Sequence, residues 1–422
     1  MFVGTTLIVS FVFIALAISR KNHGAALGIL ILSSLIWPES LRFPLFLIQM
    51  SAPRAVALIM IIKFMFFSNR KIKFNKVDTI VILLWVWIVT ANVLADADFK
   101  QIKGLIGSGL DTVLMYFAAR YSIQSKEDIV GLYKWLSISA LIMCIAGLYE
   151  AITWSTPYQK LIGGSHRIHG YSEIRYGFLR AQASTQISIY FGMAMLMITG
   201  IIWAARGYVS KKRVKFTLIV STLATLSSFS SGPWLGLVLL ISLNLLYFKK
   251  ILIKPLIYMM FLIMFLLELL SNRHFYHLID YLAIDSNSAW YRTRLMEIAI
   301  SQVHEYWLYG VGGNWPHHWA NLLDGREQID VVNHFIITAL YGGILAFFLY
   351  LSTHIVAINI AIKTQRKTQD ENIKKLLFGL VVIILAIDFS SLSVGLFSVP
   401  LIISNILLGI IMSVSSIKKT TT

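Results

Sequence analysis

The stretch "DVVNHFIITALYGGILAFFLYL", residues 330–351, decides the fold. A polar segment ends in an Asn-His pair, and an apolar run then continues over 334–361. Crossing the hydrocarbon core of a bilayer takes about 17 to 25 apolar residues in a helix. Runs of comparable character recur at 4–19, 24–37, 52–68, 78–95, 105–121, 128–152, 183–204, 214–229, 232–248, 253–270, 376–390 and 394–414. Hydrophobic residues make up 57% of the 422 and charged residues 14%, whereas a soluble globular chain is about half apolar and a quarter charged. The mean hydropathy of +0.73 agrees. The sequence therefore predicts an all-α polytopic membrane protein, one integral unit over 1–422, with about 12 to 13 transmembrane helices.

The first run, "TTLIVSFVFIALAIS", lacks a positive leader and is followed by "RKNH" instead of a small-residue cleavage site, so it reads as a span. The single cysteine, Cys144, lies inside an apolar run. That excludes an intrachain disulfide and a cysteine-cluster metal site. The net charge of +17 is gathered in short segments such as "NRKIKFNK" (69–76), "RGYVSKKRVK" (206–215) and "KTQRKTQDENIKK" (363–375). This is the positive-inside pattern, whose partners are anionic membrane lipids and not nucleic acid. Placing these clusters in the cytoplasm leaves 38–51, 96–104, 153–182, a turn near 229–232 and 271–333 outside, with the N-terminus external and the C-terminus cytoplasmic.

Two of the outer segments, 153–182 and 271–333, are too long to be mere connectors. The larger is expected to carry short helices. Eight of the ten histidines lie in or beside these two: His166, His169, His274, His277, His304, His317, His318 and His334. The larger segment also contains "YGVGGNWPHHW" (309–319), in which Gly310, Gly312 and Gly313 permit a tight backbone path. "HRIH" and "HFYH" place histidine pairs at i, i+3, but no HExxH and no acidic DxD pair accompanies them. A zinc site needs three or four ligands, so no metal and no other cofactor is expected.

Seven arginines, Arg167, Arg175, Arg180, Arg273, Arg292, Arg294 and Arg326, fall outside, against the charge bias. The planar guanidinium grips phosphate oxygens bidentately and keeps its proton, so as a group these residues suit an anion. The competing reading pairs them with the seven acids of 271–333. His334 stands where a polar loop meets an apolar helix, and partial loss of water there favours the neutral ring that a general base needs. Asp111, Glu150, Asp388 and Lys63 lie within apolar runs and are expected to face the bundle interior or a cavity.

Three stretches together resemble the O-antigen ligase and polymerase superfamily of bacterial membrane glycosyltransferases. "YRTRLMEIAISQVHEYWLYGVGGNW" is similar to that family's arginine, amphipathic helix and GxG turn in the large periplasmic loop. "DVVNHFIITALYGGILAFFLYL" resembles its histidine-asparagine motif, and "FLRAQASTQISIYFGMAM" its arginine-led mid-chain span. Here the histidine follows the asparagine, and the turn "SFSSGPW" carries no arginine. The resemblance implies a bundle of the GT-C kind in the bacterial inner membrane, with its active site facing the periplasm. Its donor would be an undecaprenyl-pyrophosphate-linked oligosaccharide and its acceptor a glycolipid. By the same resemblance, His334 and Arg294 would be catalytic, and Arg180, Arg292 and Arg294 would bind the pyrophosphate. Tyr309, Trp315, His317, His318 and Trp319 would contact glycan. A polysaccharide polymerase is preferred over a ligase that transfers to lipid A-core. A flippase or other transporter is the rival class, although no half-to-half repeat supports it.

Overall fold

A computed structural model of the chain describes residues 2–38, 40–45, 48–67, 73–158, 173–247, 286–312, 315–323 and 329–417, with isolated positions between 255 and 277. It is 78% helical. Its described sheet consists of two short antiparallel hairpins, β1 (Phe43–Leu45) with β2 (Ile48–Met50) and β3 (Ile174–Arg175) with β4 (Phe178–Leu179). The fold is all-α.

The helices are α1 (Phe2–Ile18), α2 (His23–Ile36), α3 (Ala52–Phe67), α4 (Lys76–Leu94), α5 (Phe99–Ser108), α6 (Met115–Arg120) and α7 (Lys126–Thr153). They continue with α8 (Ser188–Ala204), α9 (Lys211–Leu226), α10 (Ser231–Leu245), α11 (Ser286–Ser301), α12 (His334–Lys367), α13 (Glu371–Ser391) and α14 (Ser398–Ser415). Among the described residues, five helices are long and apolar enough to cross a membrane: Lys76–Leu94, Lys126–Thr153, Ser188–Tyr208, His334–Lys367 and Ser398–Ser415. Val3–Ile18, His23–Ile36 and Ser231–Leu245 are shorter apolar helices. Each expected apolar run except 105–121, 253–270 and 334–361 coincides with one helix to within about five residues at either end. The run 253–270 lies almost wholly outside the described residues.

The run 105–121 is not one helix. A π-turn, Leu110–Leu114, separates α5 from α6. Asp111 sits in that turn and pairs with Arg54 of α3, whose Nε donates to Asp111 Oδ1 at 2.7 Å. Both side chains are buried. A buried ion must be matched by a partner and hydrogen bonds, and the extra residue of a π-turn supplies the rotation that places the carboxylate. Glu150 is likewise interior, and it accepts from the backbone N–H groups of Gln182 (2.8 Å) and Ala183 (2.9 Å). Lys63 departs from expectation. Its ammonium donates to the carbonyls of Ile18 (2.9 Å) and Arg20 (3.1 Å) at the C-terminus of α1, a placement favoured by the helix dipole.

α12 is broken, and the break positions everything that follows. Gly342 (φ −157°, ψ 23°) and Gly343 (φ 71°, ψ −172°) leave helical geometry. The rings of His334 and Tyr350 nevertheless lie 5.0 Å apart, and those of Phe335 and Tyr350 5.7 Å. Sixteen residues of continuous helix would separate such rings by about 24 Å. Residues 334–341 therefore fold back as a half-helix against 344–367. The backbone groups released at the turn are matched by neighbours. Val311 N–H donates to Leu340 O and Ile344 N–H to Trp307 O, each at 2.8 Å. From α4, Trp87 Nε1 donates to Gly342 O (2.7 Å) and Asn92 Nδ2 to Tyr341 O (2.5 Å).

The fit leaves no room for side chains. A Cβ on Gly343 would run into Leu308 O, and one on Gly310 (φ 79°) into Leu340 O. Gly343→Ala and Gly310→Ala should each lower stability by about 2 kcal/mol or more, measured by thermal unfolding in detergent. Gly104→Ala, where nothing lies within 4 Å, should be neutral or stabilising by about 0.5–1 kcal/mol. A Gly343→Ala protein as stable as the parent would contradict the sealed turn.

Candidate functional site

The hairpin of α12 forms one wall of a cavity of about 500 Å³. α4 contributes Trp85 and Asn92, α5 contributes Gln101 and Leu105, the outer loop contributes Gly312 and Trp315, and α14 contributes Ser404 and Asn405. From α12 come His334, Thr338, Tyr341, Tyr350 and His354. The lining is thus mainly apolar, with polar groups contributed by α4, α5, α12 and α14. That is the usual character of a small-molecule site.

His334 is held from both sides of its own residue pair. Asn333 caps the half-helix by accepting from Phe335 N (2.9 Å) and Ile336 N (3.2 Å), and its Nδ2 donates to Leu392 O (3.0 Å). The Leu396 N–H then donates to His334 Nδ1 at 3.2 Å. The connector between α13 and α14 is therefore gripped by Asn333 and His334 together. An imidazole that accepts at Nδ1 carries its proton on Nε2 and can only donate there. In this arrangement the ring offers the cavity a donor and not the lone pair that the expected base role needs.

A second histidine, His354, has the opposite sense. Its Nδ1 lies 2.7 Å from Asp388 Oδ1 of α13, so Nδ1–H donates to the carboxylate and Nε2 keeps its lone pair. His354 is buried, and Asp388 is one-fifth exposed. The ring of Tyr350 lies 4.6 Å from that of His354. The sequence signal for this pair was two ionisable residues inside apolar runs, of which Asp388 alone drew attention.

Arg180, Arg292 and Arg294 do not line the cavity. Arg180 follows the β3–β4 hairpin, is buried, and donates from Nη2 to Ser230 Oγ at 2.8 Å. Arg292 and Arg294 lie on α11, whose Tyr291, Leu295 and Ile298 pack against Ile336, Ile337 and Leu340 of the half-helix. Two residues apart is about 200° around a helix, so the two arginines flank that packed face on opposite sides. Arg294 is 44% exposed and pairs with Glu297 at 2.7 Å. The sequence expects it to be catalytic; Glu297 holds it at the surface of the loop helix, outside the cavity lining.

Of the expected glycan contacts, Trp315 lines the cavity with its ring 5.8 Å from Tyr341. Tyr309 is half-buried, 6.4 Å from Trp87. His317 and His318 are both exposed and do not line the cavity, and His318 Nε2 lies 3.0 Å from Glu305. Trp319 is a correction. It is fully buried, its N–H donates to Glu305 Oε2 (3.1 Å), and it packs on Tyr306 (6.0 Å), so no face is open to a sugar. Tyr306 donates to Ala299 O at 2.7 Å. Burial, and then Glu305, push its phenol up to about 12, which keeps it a donor at any physiological pH. Gly313, His166, Arg167, His169, Arg273 and Arg326 lie outside the described residues. Among the described residues no three His, Cys, Asp or Glu side chains converge as metal ligands would.

Trp319→Ala should destabilise by about 3–5 kcal/mol through the cavity it leaves, and Trp315→Ala by clearly less, as read by thermal unfolding in detergent. Equal losses would place Trp319 at the surface. No protein-family model matches this chain and no curated protein aligns with it significantly, so the chemistry of the cavity is read from its own residues.

Proposed function

We propose that the chain is a multi-pass glycosyltransferase of the bacterial inner membrane, acting at the periplasmic face on an undecaprenyl-pyrophosphate-linked oligosaccharide. The observation that carries this reading is the cavity. It gathers a carboxylate-held histidine, a donor histidine, a buried tyrosine and a tryptophan where the large loop meets the membrane helices. The positive-inside assignment puts 96–104 and 271–333 on the outer side, and Gln101, Gly312 and Trp315 of those segments line the cavity. An acceptor hydroxyl attacks the anomeric carbon, and the polyprenyl pyrophosphate departs. Arg180 is a buried cation tied to the same connector as His334, because Val394 packs against Gly232 beside its partner Ser230. It would neutralise charge on the leaving group. Arg292 and Arg294 stand on the loop helix outside the cavity lining and would meet the pyrophosphate at the loop surface. Polymerisation, with a second lipid-linked repeat as acceptor, is preferred over ligation to lipid A-core.

The broken helix also invites a carrier reading, since transporters use unwound backbone to bind their cargo. At Gly342–Gly343 the released groups accept from Asn92, Trp87 and Val311 and donate to Trp307. The turn is sealed by protein, which favours the enzyme.

Deleting the gene in its native host and restoring it on a plasmid tests the proposal. A single repeat left on lipid A identifies a polymerase, and full polymer retained on the lipid carrier identifies a ligase. Unchanged surface polysaccharide together with unchanged lipid-linked intermediates would refute the reading.

A further inference from the structure

We propose that His354, oriented by Asp388, is the group that takes the proton from the acceptor hydroxyl, and that His334 acts only as a hydrogen-bond donor in the same cavity. The assignment rests on the glycosyl-transfer reading and deepens it. Both rings line the cavity, and what distinguishes them is the partner on Nδ1. A backbone N–H, which cannot reverse its sense, occupies that of His334. A carboxylate oxygen occupies that of His354. Only His354 therefore presents a lone pair to a ligand, and the imidazolium formed when it takes a proton is stabilised by Asp388.

Tyr350 supplies an independent sign that a ligand belongs here. It is buried, lines the cavity between the two histidines, and its hydroxyl has no hydrogen-bond partner among the described residues. A buried hydroxyl without a partner is costly, and an acceptor sugar oxygen would complete it. In the transfer step the acceptor O–H bond breaks and its proton goes to His354 Nε2. The acceptor oxygen bonds to the anomeric carbon, and the bond from that carbon to the pyrophosphate oxygen breaks, its electron pair leaving with the phosphate. His354 then gives its proton to water. Asp388 is a positioning residue and does not touch the reacting atoms.

The test uses membranes of the native host lacking its own copy, carrying full-length variants at matched levels, and supplied with that host's lipid-linked oligosaccharide. His354→Ala should lower transfer about 100-fold or more, and millimolar imidazole should restore a measurable part by entering the vacated space. His354→Gln, nearer in volume, should be as inactive and guards against a folding defect. His334→Gln keeps an N–H donor and should lose roughly tenfold or less, with no response to imidazole. Asp388→Glu should recover part of the activity that Asp388→Asn loses. In the wild-type protein, diethyl pyrocarbonate, which reacts at a free imidazole lone pair, should label His354 ahead of His334. Transfer by His354→Gln within tenfold of the parent, imidazole rescue of His334→Gln without rescue of His354→Ala, or labelling of His334 alone overturns the assignment and leaves the glycosyltransferase reading standing. Absence of transfer by the wild type overturns both.

Discussion

The interruption of α12 at Gly342–Gly343 is the constraint from which the rest of the molecule follows. A helix broken inside a membrane protein exposes N–H and C=O groups that lipid cannot satisfy, so such a break survives only where protein or water supplies the partners. Here the partners come from two places far apart in sequence. The 307–311 segment of the loop gives backbone to backbone, and α4 gives the side chains of Trp87 and Asn92. The loop, α4 and α12 are therefore one unit, and the hairpin that results carries His334 to the level of Tyr350. Without the turn the two rings would stand far apart and no wall of the cavity would exist.

Helix positions were legible because a bilayer imposes length and apolarity on every span, and both are visible residue by residue. What was not legible depends on contacts across the bundle. The π-turn at Leu110–Leu114 follows from the Arg54–Asp111 pair, 57 residues apart. The Gly342–Gly343 pair was plain to see, but two glycines in an apolar run do not announce a reversal. That needed a loop able to fill the gap. Gly310 and Gly312 did announce a tight path, and both have positive φ, because the requirement for glycine there is local.

The site divides in the same way. Sequence favoured His334, the histidine at the edge of a polar loop, and the structure does bring it to the cavity beside Trp315. His354 lay hidden in a long apolar run, since nothing nearby in sequence indicates that Asp388, 34 residues on, faces it. Trp319 shows the converse error. The resemblance implies a glycan contact for it, yet Tyr306 and Glu305 enclose it. A tryptophan in a loop can be that loop's own core as readily as a sugar platform.

The six-residue connector between α13 and α14 links the two chemical parts of the molecule. Just before it, in α13, Ser390 Oγ donates to Gly232 O, and in its middle Val394 packs against Gly232, two residues from the serine that Arg180 grips. Its first residue, Leu392, accepts from Asn333 through its carbonyl, and its Leu396 N–H donates to His334. Asp388 stands only four residues before the connector, on the same helix end, and holds His354. A basic residue, a donor histidine and a carboxylate-bound histidine are thus referenced to one short stretch of backbone. The proposed transfer chemistry would require such groups to keep their separations to within a fraction of an ångström. Side chains tied to separate mobile loops would not meet that tolerance, whereas a connector held by Asn333 and His334 and packed between helices does.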